Sequence, residues 1–279
     1  MDIVLLVNEA SGSGTDGDAI EAALRAEGAE VRRLPIDRAG DAASLGPERL
    51  VVASGDGGIA PAADVAGAIG VPLAVVPSGT ANDFARRMGL PSDPSEACRL
   101  AVRGTRLPRL DLARLGERPF VNAASAGLAP AATRRAGPLK RVLGPIAYMV
   151  GAIWSAATER PLRCAVRCDG REVFAGHAWQ LMVACSGAFG AGSRVVEADP
   201  ADGLLDVVAM AAGPRVRLAR YAYGLRRGRV SEQPGVVHDR GAVVDLDLPP
   251  GERMNVDGEL LPAAPRAAVD AGRFELVVA

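Results

Sequence analysis

Two glycine-bearing turns about twenty residues apart, each at the end of an apolar run, constrain this chain more than any other feature. The first, Ser54-Gly55-Asp56-Gly57-Gly58, follows Leu50-Val51-Val52-Ala53. The second, Pro77-Ser78-Gly79-Thr80-Ala81-Asn82-Asp83, follows Leu73-Ala74-Val75-Val76. Short continuous apolar runs bounded by turn residues read as buried strands. Two such strands lying parallel would end in one crevice, where open α/β sheets bind ligands. Glycine lets a backbone approach a ligand closely, and free N–H groups there suit a phosphate. The pair points to a phosphate-handling site.

The order of elements around these turns predicts the fold class. Strand patterns at Asp2–Val7, Glu30–Pro35, Arg49–Ala53 and Pro72–Val76 alternate with helix patterns at Asp16–Glu27, Pro61–Ile69 and Asn82–Met88. This rhythm predicts a doubly wound parallel α/β sheet. It changes near Arg109–Leu115. Short strand patterns follow at Phe120–Ala123, Leu162–Cys168, Ala178–Ala184, Leu204–Met210, Ala242–Leu248 and Arg253–Val256. Turns such as Cys168-Asp169-Gly170 and helical stretches near Pro138–Thr158 and Arg215–Arg227 interrupt them. That is the pattern of an antiparallel β-sandwich. The expected organisation is an α/β domain over 1–113 and a sandwich over 114–266. Segment 267–279, with its apolar Arg273–Val278, is expected to return to the first domain.

Composition narrows the function classes. With 279 residues, 49% hydrophobic and 23% charged, the chain has the profile of a folded protein with room for two cores. No apolar run reaches the roughly 18 residues needed to span a bilayer, and Met1-Asp2-Ile3-Val4 reads as a strand rather than a signal peptide. A cytoplasmic location is therefore expected. Cys164 and Cys168 have no second pair or nearby histidine, so all four cysteines read as small core residues. The only lysine is Lys140, which excludes a Walker A loop and a kinase Val-Ala-Ile-Lys strand. Phosphate handling would rest on backbone, arginine and metal. Net charge is −5 over residues 1–113 and +5 over 114–266, which points to an anionic partner such as a membrane surface or to ordinary fluctuation. No nucleic-acid partner is expected, and the oligomeric state is open.

Several segments carry competing readings. Gly12-Ser13-Gly14-Thr15-Asp16-Gly17 matches a dinucleotide fingerprint with Asp37 twenty residues on, but Asn8-Glu9-Ala10-Ser11 separates it from the strand. The Asn8–Gly12 turn reads as a nucleotide-phosphate contact, an NAD site or a plain loop. Asp56 is a ligand-site carboxylate or a structural turn residue. Thr80, Asn82 and Asp83 cap a helix, bind phosphate, or both. Asp199, Asp202 and Asp206 put three hard carboxylates in one turn, suited to Mg²⁺ or Ca²⁺ or simply solvated. Asn255-Val256-Asp257-Gly258-Glu259 is a hairpin turn or a mount for a general base. Arg215–Arg229 is a basic amphipathic stretch that lies on a membrane or packs on its own domain. His177 and His238 lack sequence partners and read as structural.

Together these residues resemble the diacylglycerol kinase catalytic family, bacterial lipid kinases that are also similar to sphingosine kinases. The likeness covers nearly the whole chain. Its most specific part is Val76-Pro77-Ser78-Gly79-Thr80-Ala81-Asn82-Asp83-Phe84-Ala85-Arg86. Ser54–Ala60 matches the family's Gly-Gly-Asp-Gly-Thr loop, and Asn8–Gly12 its Asn-Pro-x-Ser-Gly turn. Asp111, Asn122 to Gly127, Asp202-Gly203-Leu204 and Asp257-Gly258-Glu259 follow in family order.

The resemblance implies an active site between two domains, with ATP and Mg²⁺ as cofactors and a lipid met at the membrane surface. It assigns ATP contacts to Asn8, Glu9, Ala10, Ser11 and Gly12, to Ser54, Gly55, Asp56, Gly57, Gly58, Ile59 and Ala60, and to Thr80. Asn82 belongs to the same motif, and Asp56 and Asp83 would organise the catalytic Mg²⁺. Glu259 matches the general base. Asp202, with backbone oxygens near Asp199 and Leu204, matches a second Mg²⁺ site.

Three departures stand out. Ser54 replaces the loop's first glycine and Gly58 its hydroxyl residue. Ser13 stands where a basic residue often follows. Near Ile36 the family often has a threonine. The rivals are a soluble NAD kinase, which shares the glycine loop, and a lipid-binding pseudokinase, motivated by Gly58 and Ser13.

Overall fold

The computed structural model describes residues 1–8, 16–143, 146–189, 193–195 and 198–279. The first half runs β1 (Asp2–Val7), α1 (Gly17–Ala26), β2 (Glu30–Pro35), α2 (Ala42–Leu45), β3 (Arg49–Ser54), α3 (Asp56–Ile69), β4 (Leu73–Pro77), α4 (Asp83–Arg87) and α5 (Pro94–Arg103). The four strands lie parallel in the order β2-β1-β3-β4. They are apolar at successive positions because helices cover both faces. Ile3, Leu5 and Val7 pack with Ile20, Leu24 and Ala97 of α1 and α5, while Val4 and Leu6 pack with Ile59, Ala63 and Ala66 of α3.

Two helices differ from expectation. α3 starts at Asp56 rather than Pro61. Gly57, Gly58 and Pro61 carry weak helix propensity, yet tertiary packing keeps all three inside the helix. α5 has no counterpart in the expected elements, although Asp93 caps it by accepting from the Glu96 N–H (2.9 Å) and Pro94 opens it.

The second half runs β5 (Arg109–Leu115), β6 (Arg118–Phe120), β7 (Ala123–Gly127), α6 (Leu128–Leu143), α7 (Ile146–Thr158), β8 (Leu162–Cys168), β9 (Arg171–Ala184), β10 (Ala188–Phe189), β11 (Ser193–Arg194), β12 (Leu205–Ala211), α8 (Val216–Arg227), β13 (Val236–Gly241), β14 (Val243–Asp247), β15 (Arg253–Val256), β16 (Glu259–Pro262) and β17 (Arg266–Glu275). Eleven of these strands form one sheet in the path β16-β15-β7-β9-β8-β14-β17-β5-β6, with β12 and β13 joined through β9. Its pairings are antiparallel, and it wraps round a core that includes Phe120, Val166, Leu181, Val207 and Met254. β17 pairs with β5 and β14. Past its end, Leu276 bridges Leu73, and the Val277 N–H donates to the Leu73 carbonyl (2.8 Å), tying the tail to β4.

Candidate active site

The two turns that dominate the sequence meet in space. Ser54 and Pro77 are register partners at the ends of β3 and β4, and the Ser78 N–H donates to the Ser54 carbonyl (3.1 Å). The turns touch through their glycines. A Cβ on Gly79 would lie 2.5 Å from the Gly55 Cα, so no side chain fits there. Asn82 holds the second turn in the left-handed region (φ 49°), accepting from the Gly79 N–H (2.9 Å) and donating to its carbonyl (2.8 Å).

That inward fold changes the capping expected at α4. Asn82 is spent on its own turn, as short amides often are, and makes no side-chain cap. Asp56 caps the helix from across the turn, its carboxylate accepting from the N–H groups of Asp83 (3.0 Å) and Phe84 (2.9 Å). The donors of α4 are therefore taken. At α3 the Gly58 N–H turns back to the Gly55 carbonyl (3.2 Å), and among the described residues no side chain caps the N–H groups before it, because the N-cap is Gly55, whereas Asp16 and Asp93 cap α1 and α5. An uncapped N-terminus of a long helix is a ready anion site. Ile59 and Ala60 point into the core behind it, so the contacts available on this loop narrow to residues 55–58. Thr80 is exposed beside them.

The second half closes over this floor. Asn122 donates to Asp56 (3.2 Å) and accepts from the Ser186 hydroxyl (2.8 Å). Arg87 of α4 donates to the carbonyls of Ser186 (3.1 Å) and Ala198 (2.7 Å). The hairpin between β15 and β16 has positive φ at Asp257 (45°) and Gly258 (92°), as a tight primed turn requires. Asp257 accepts from the N–H groups of Val121 (2.8 Å), Asn122 (3.0 Å) and Ala123 (3.1 Å). Burial pushes its carboxyl up to about 7, with Asp56 adding repulsion and the three donors opposing. The anchored turn aims Glu259 back at α3: a Cβ on Gly57 would lie 3.0 Å from Glu259 Oε1. Arg118 donates to Glu259 Oε2 (2.6 Å). Arg118, Arg87 and Ser186 escape sequence reasoning because no local spacing links them to their partners.

The two departures in the first loop are one exchange. A Cβ on Gly58 would overlap the Ser54 hydroxyl and lie 2.7 Å from the Ser54 Cβ. The Ser54 side chain thus fills the space that a residue-58 side chain would need, and Asn8 donates to its hydroxyl at 3.4 Å. The Ser54 hydroxyl is buried there. Glu9, Ala10, Ser11, Gly12 and Ser13 lie outside the described residues, as does the Gly12-x-Gly14 fingerprint.

The expected ion cradle at Asp199, Asp202 and Leu204 is not assembled. Arg240 pairs with Asp202, whose carboxylate also accepts from the Leu204 N–H (3.0 Å). Asp199 accepts from the Ala201 N–H (3.1 Å). Asp206 turns into the core, where His238 Nε2 lies 2.6 Å from it, which gives His238 the partner its sequence neighbours do not. Among the described residues no three His, Cys, Asp or Glu side chains converge on a metal position. Asp56 and Asp83 meet across the paired turns, with Arg86 held to Asp83 (2.8 Å). Mg²⁺ is commonly held by one or two carboxylates plus substrate phosphates rather than by a protein cage, and the donors at the paired turns fit that.

Comparisons with known proteins bear on the family and the fold. Residues 2–115 match the diacylglycerol kinase catalytic domain, and residues 122–278 match the YegS C-terminal NAD kinase beta sandwich-like domain. The chain is 27% identical over 274 residues to a diacylglycerol kinase of Mycobacterium tuberculosis, covering 92% of this chain and 88% of that protein. It is 25% identical over 189 residues to a diacylglycerol kinase of Staphylococcus aureus, covering 67% of this chain and 59% of that one. A crystal structure of a diacylglycerol kinase from Bacillus anthracis superposes with a TM-score of 0.80 at 20% identity, over 100% of this chain and 97% of that one. Yeast NADH kinase complexed with NADH shares the fold more distantly, with a TM-score of 0.51 at 12% identity over 99% and 82%.

Proposed function

This chain belongs to the diacylglycerol kinase catalytic family, and from that premise we propose that it transfers the γ-phosphoryl group of ATP to the hydroxyl of a lipid, diacylglycerol or a close relative. The observation that carries the reading is the approach of Glu259 Oε1 to Gly57, 3.0 Å from where a Cβ there would lie, which sets a carboxylate against the start of α3.

Phosphoryl transfer asks a protein for positioning and charge neutralisation more than for covalent chemistry. The N–H groups at Gly55–Gly57 would hold phosphate oxygens, with the Gly58 N–H closing the turn on the Gly55 carbonyl. Glycine at 55 and 79 keeps that floor bare of side chains. Asp56 fixes the floor by joining α3, α4 and Asn122, and Asp83 lies beside it. Mg²⁺ brought with the nucleotide would neutralise phosphate charge there, held by Asp56 and Asp83. Glu259, oriented by Arg118 and by the Asp257 turn, would accept the proton of the lipid hydroxyl as it attacks.

The test is phosphorylation of diacylglycerol dispersed in detergent, with ATP and Mg²⁺, by the chain and by Glu259→Gln. Loss of a general base lowers turnover by about 10²–10⁴-fold. Equal turnover would remove Glu259 from the role, and phosphorylation of NAD but of no lipid would overturn the reading.

A further inference from the structure

Among the described residues, seven large hydrophobic side chains are exposed, and all but Met1 lie on two helices: Tyr148, Met149, Ile153 and Trp154 on α7, Val216 and Tyr223 on α8. Met149, Ile153 and Trp154 are each more than half exposed. Soluble surfaces rarely gather apolar residues this way without a partner for them.

α7 is the stronger half of the feature. Its sequence, Ile146–Thr158, contains no charged residue. Its inner side, Ala147, Gly151 and Ser155, is buried, and a Cβ on Gly151 would lie 2.6 Å from the Ala132 carbonyl of α6, so the two backbones are pressed together. A helix apolar all round belongs in a core or in lipid, and α7 has protein on one side only. It is too short to cross a bilayer, and no helix of the described residues is long and apolar enough to do so. Lying in the interface is the arrangement left to it.

α8 continues the face. Arg215, at its start, donates to the carbonyls of Ala156 and Glu159 at the end of α7. Its exposed stripe, Val216, Arg220, Tyr223 and Arg227, lies opposite the buried Tyr221 and Gly224. The helices α6, α7 and α8 contain no aspartate or glutamate; Glu159, just past α7, pairs with Arg134 and Arg135 of α6, so the arginines of α8 carry the charge of this face. Arg135 lies over the Trp154 ring (5.4 Å) and Arg227 over Tyr223 (5.5 Å). Aromatic rings with long cationic side chains beside them suit the headgroup level of a bilayer.

We propose that the α7–α8 face docks on an anionic bilayer, with Met149, Ile153 and Trp154 entering the headgroup boundary and the arginines of α8 meeting lipid phosphates. The proposal rests on the reading of the acceptor as a lipid.

Co-sedimentation of the full chain with vesicles, without nucleotide, tests this independently of turnover. Binding is expected to phosphatidylcholine vesicles containing phosphatidylglycerol and to be weaker to phosphatidylcholine alone. Ile153→Ser with Trp154→Ser should weaken binding roughly tenfold or more. Arg220→Gln and Arg227→Gln should each weaken binding about fivefold, on anionic vesicles only. These side chains are exposed, so the unfolding midpoint and turnover on a detergent-dispersed lipid should stay unchanged. Vesicle binding equal in the wild type and the serine variant would overturn the proposal. So would a wild-type dimer, seen by light scattering, that the serine variant dissolves while neither protein binds vesicles. Intact vesicle binding with no lipid phosphorylation would sink the kinase reading and leave the docking face standing.

Discussion

Gly58→Ala is the substitution for which the structure predicts the opposite of what local propensity predicts. Gly58 lies in the first turn of α3 and is absent from the positive-φ positions. Alanine there should stabilise the helix by about 0.5–1 kcal/mol. Space reverses the sign. The new methyl would overlap the Ser54 hydroxyl, lie 2.7 Å from the Ser54 Cβ and lie 2.9 Å from the Ile36 Cδ1. The Ile36 tip can rotate away. The Ser54 Cβ cannot, because it belongs to a buried residue of β3, a strand paired on both sides. Overpacking costs about 1–3 kcal/mol, which leaves a net loss of roughly 0–2.5 kcal/mol after the propensity gain. Ser54→Gly alone should cost about 0.5–1 kcal/mol in strand propensity. In the double variant the space is vacated, so the overpacking term should vanish, giving a coupling of about 1–3 kcal/mol. Urea unfolding followed by circular dichroism is the assay. Tryptophan fluorescence would miss the effect, since Trp154 and Trp179 both lie in the second half. Losses that add to within about 0.5 kcal/mol would refute the claim that 54 and 58 share one space.

Three further outcomes are expected. The Asp257 carboxyl, raised by burial to about 7 from an unfolded value of about 3.9, contributes stability that is full below about pH 4 and lost as pH rises through 7. Asp257→Asn should flatten that fall, and an unchanged slope of unfolding midpoint against pH would assign it to another group. Burial pushes the thiols of Cys98, Cys164 and Cys168 up to about 11 and that of Cys185 higher still, so a thiol reagent should label the protein only on unfolding; fast labelling of native protein would contradict their core placement. Because Arg240 already occupies Asp202, millimolar Mg²⁺ without nucleotide should leave the unfolding midpoint in place, and a rise of several degrees would show that the Asp199–Leu204 turn does take an ion.

What was legible in the sequence, and what was not, divides by the range of the interaction. The parallel sheet and both glycine turns are visible because apolar runs and turn residues are local signals, and the Asp257-Gly258 hairpin that mounts Glu259 is equally local. The partners that make a site of them are not. Asp56 caps a helix 27 positions away, His238 meets Asp206 across 32, and Arg118 meets Glu259 across 141; only the fold sets those distances. α3 is misplaced at its start for a related reason, since its glycines serve contacts with Glu259 and Ser54 rather than the local chain.

Ser54 and Gly58 carry the consequence furthest. Compared position by position, they are two departures and a motive for the pseudokinase reading. In space they share one volume, since the buried Ser54 side chain stands where a side chain at 58 would reach. A motif compared residue by residue overstates divergence wherever two of its positions share a single space. Gly58 and Ser54 therefore count as one exchange rather than two departures, and Ser13 stands as a separate one.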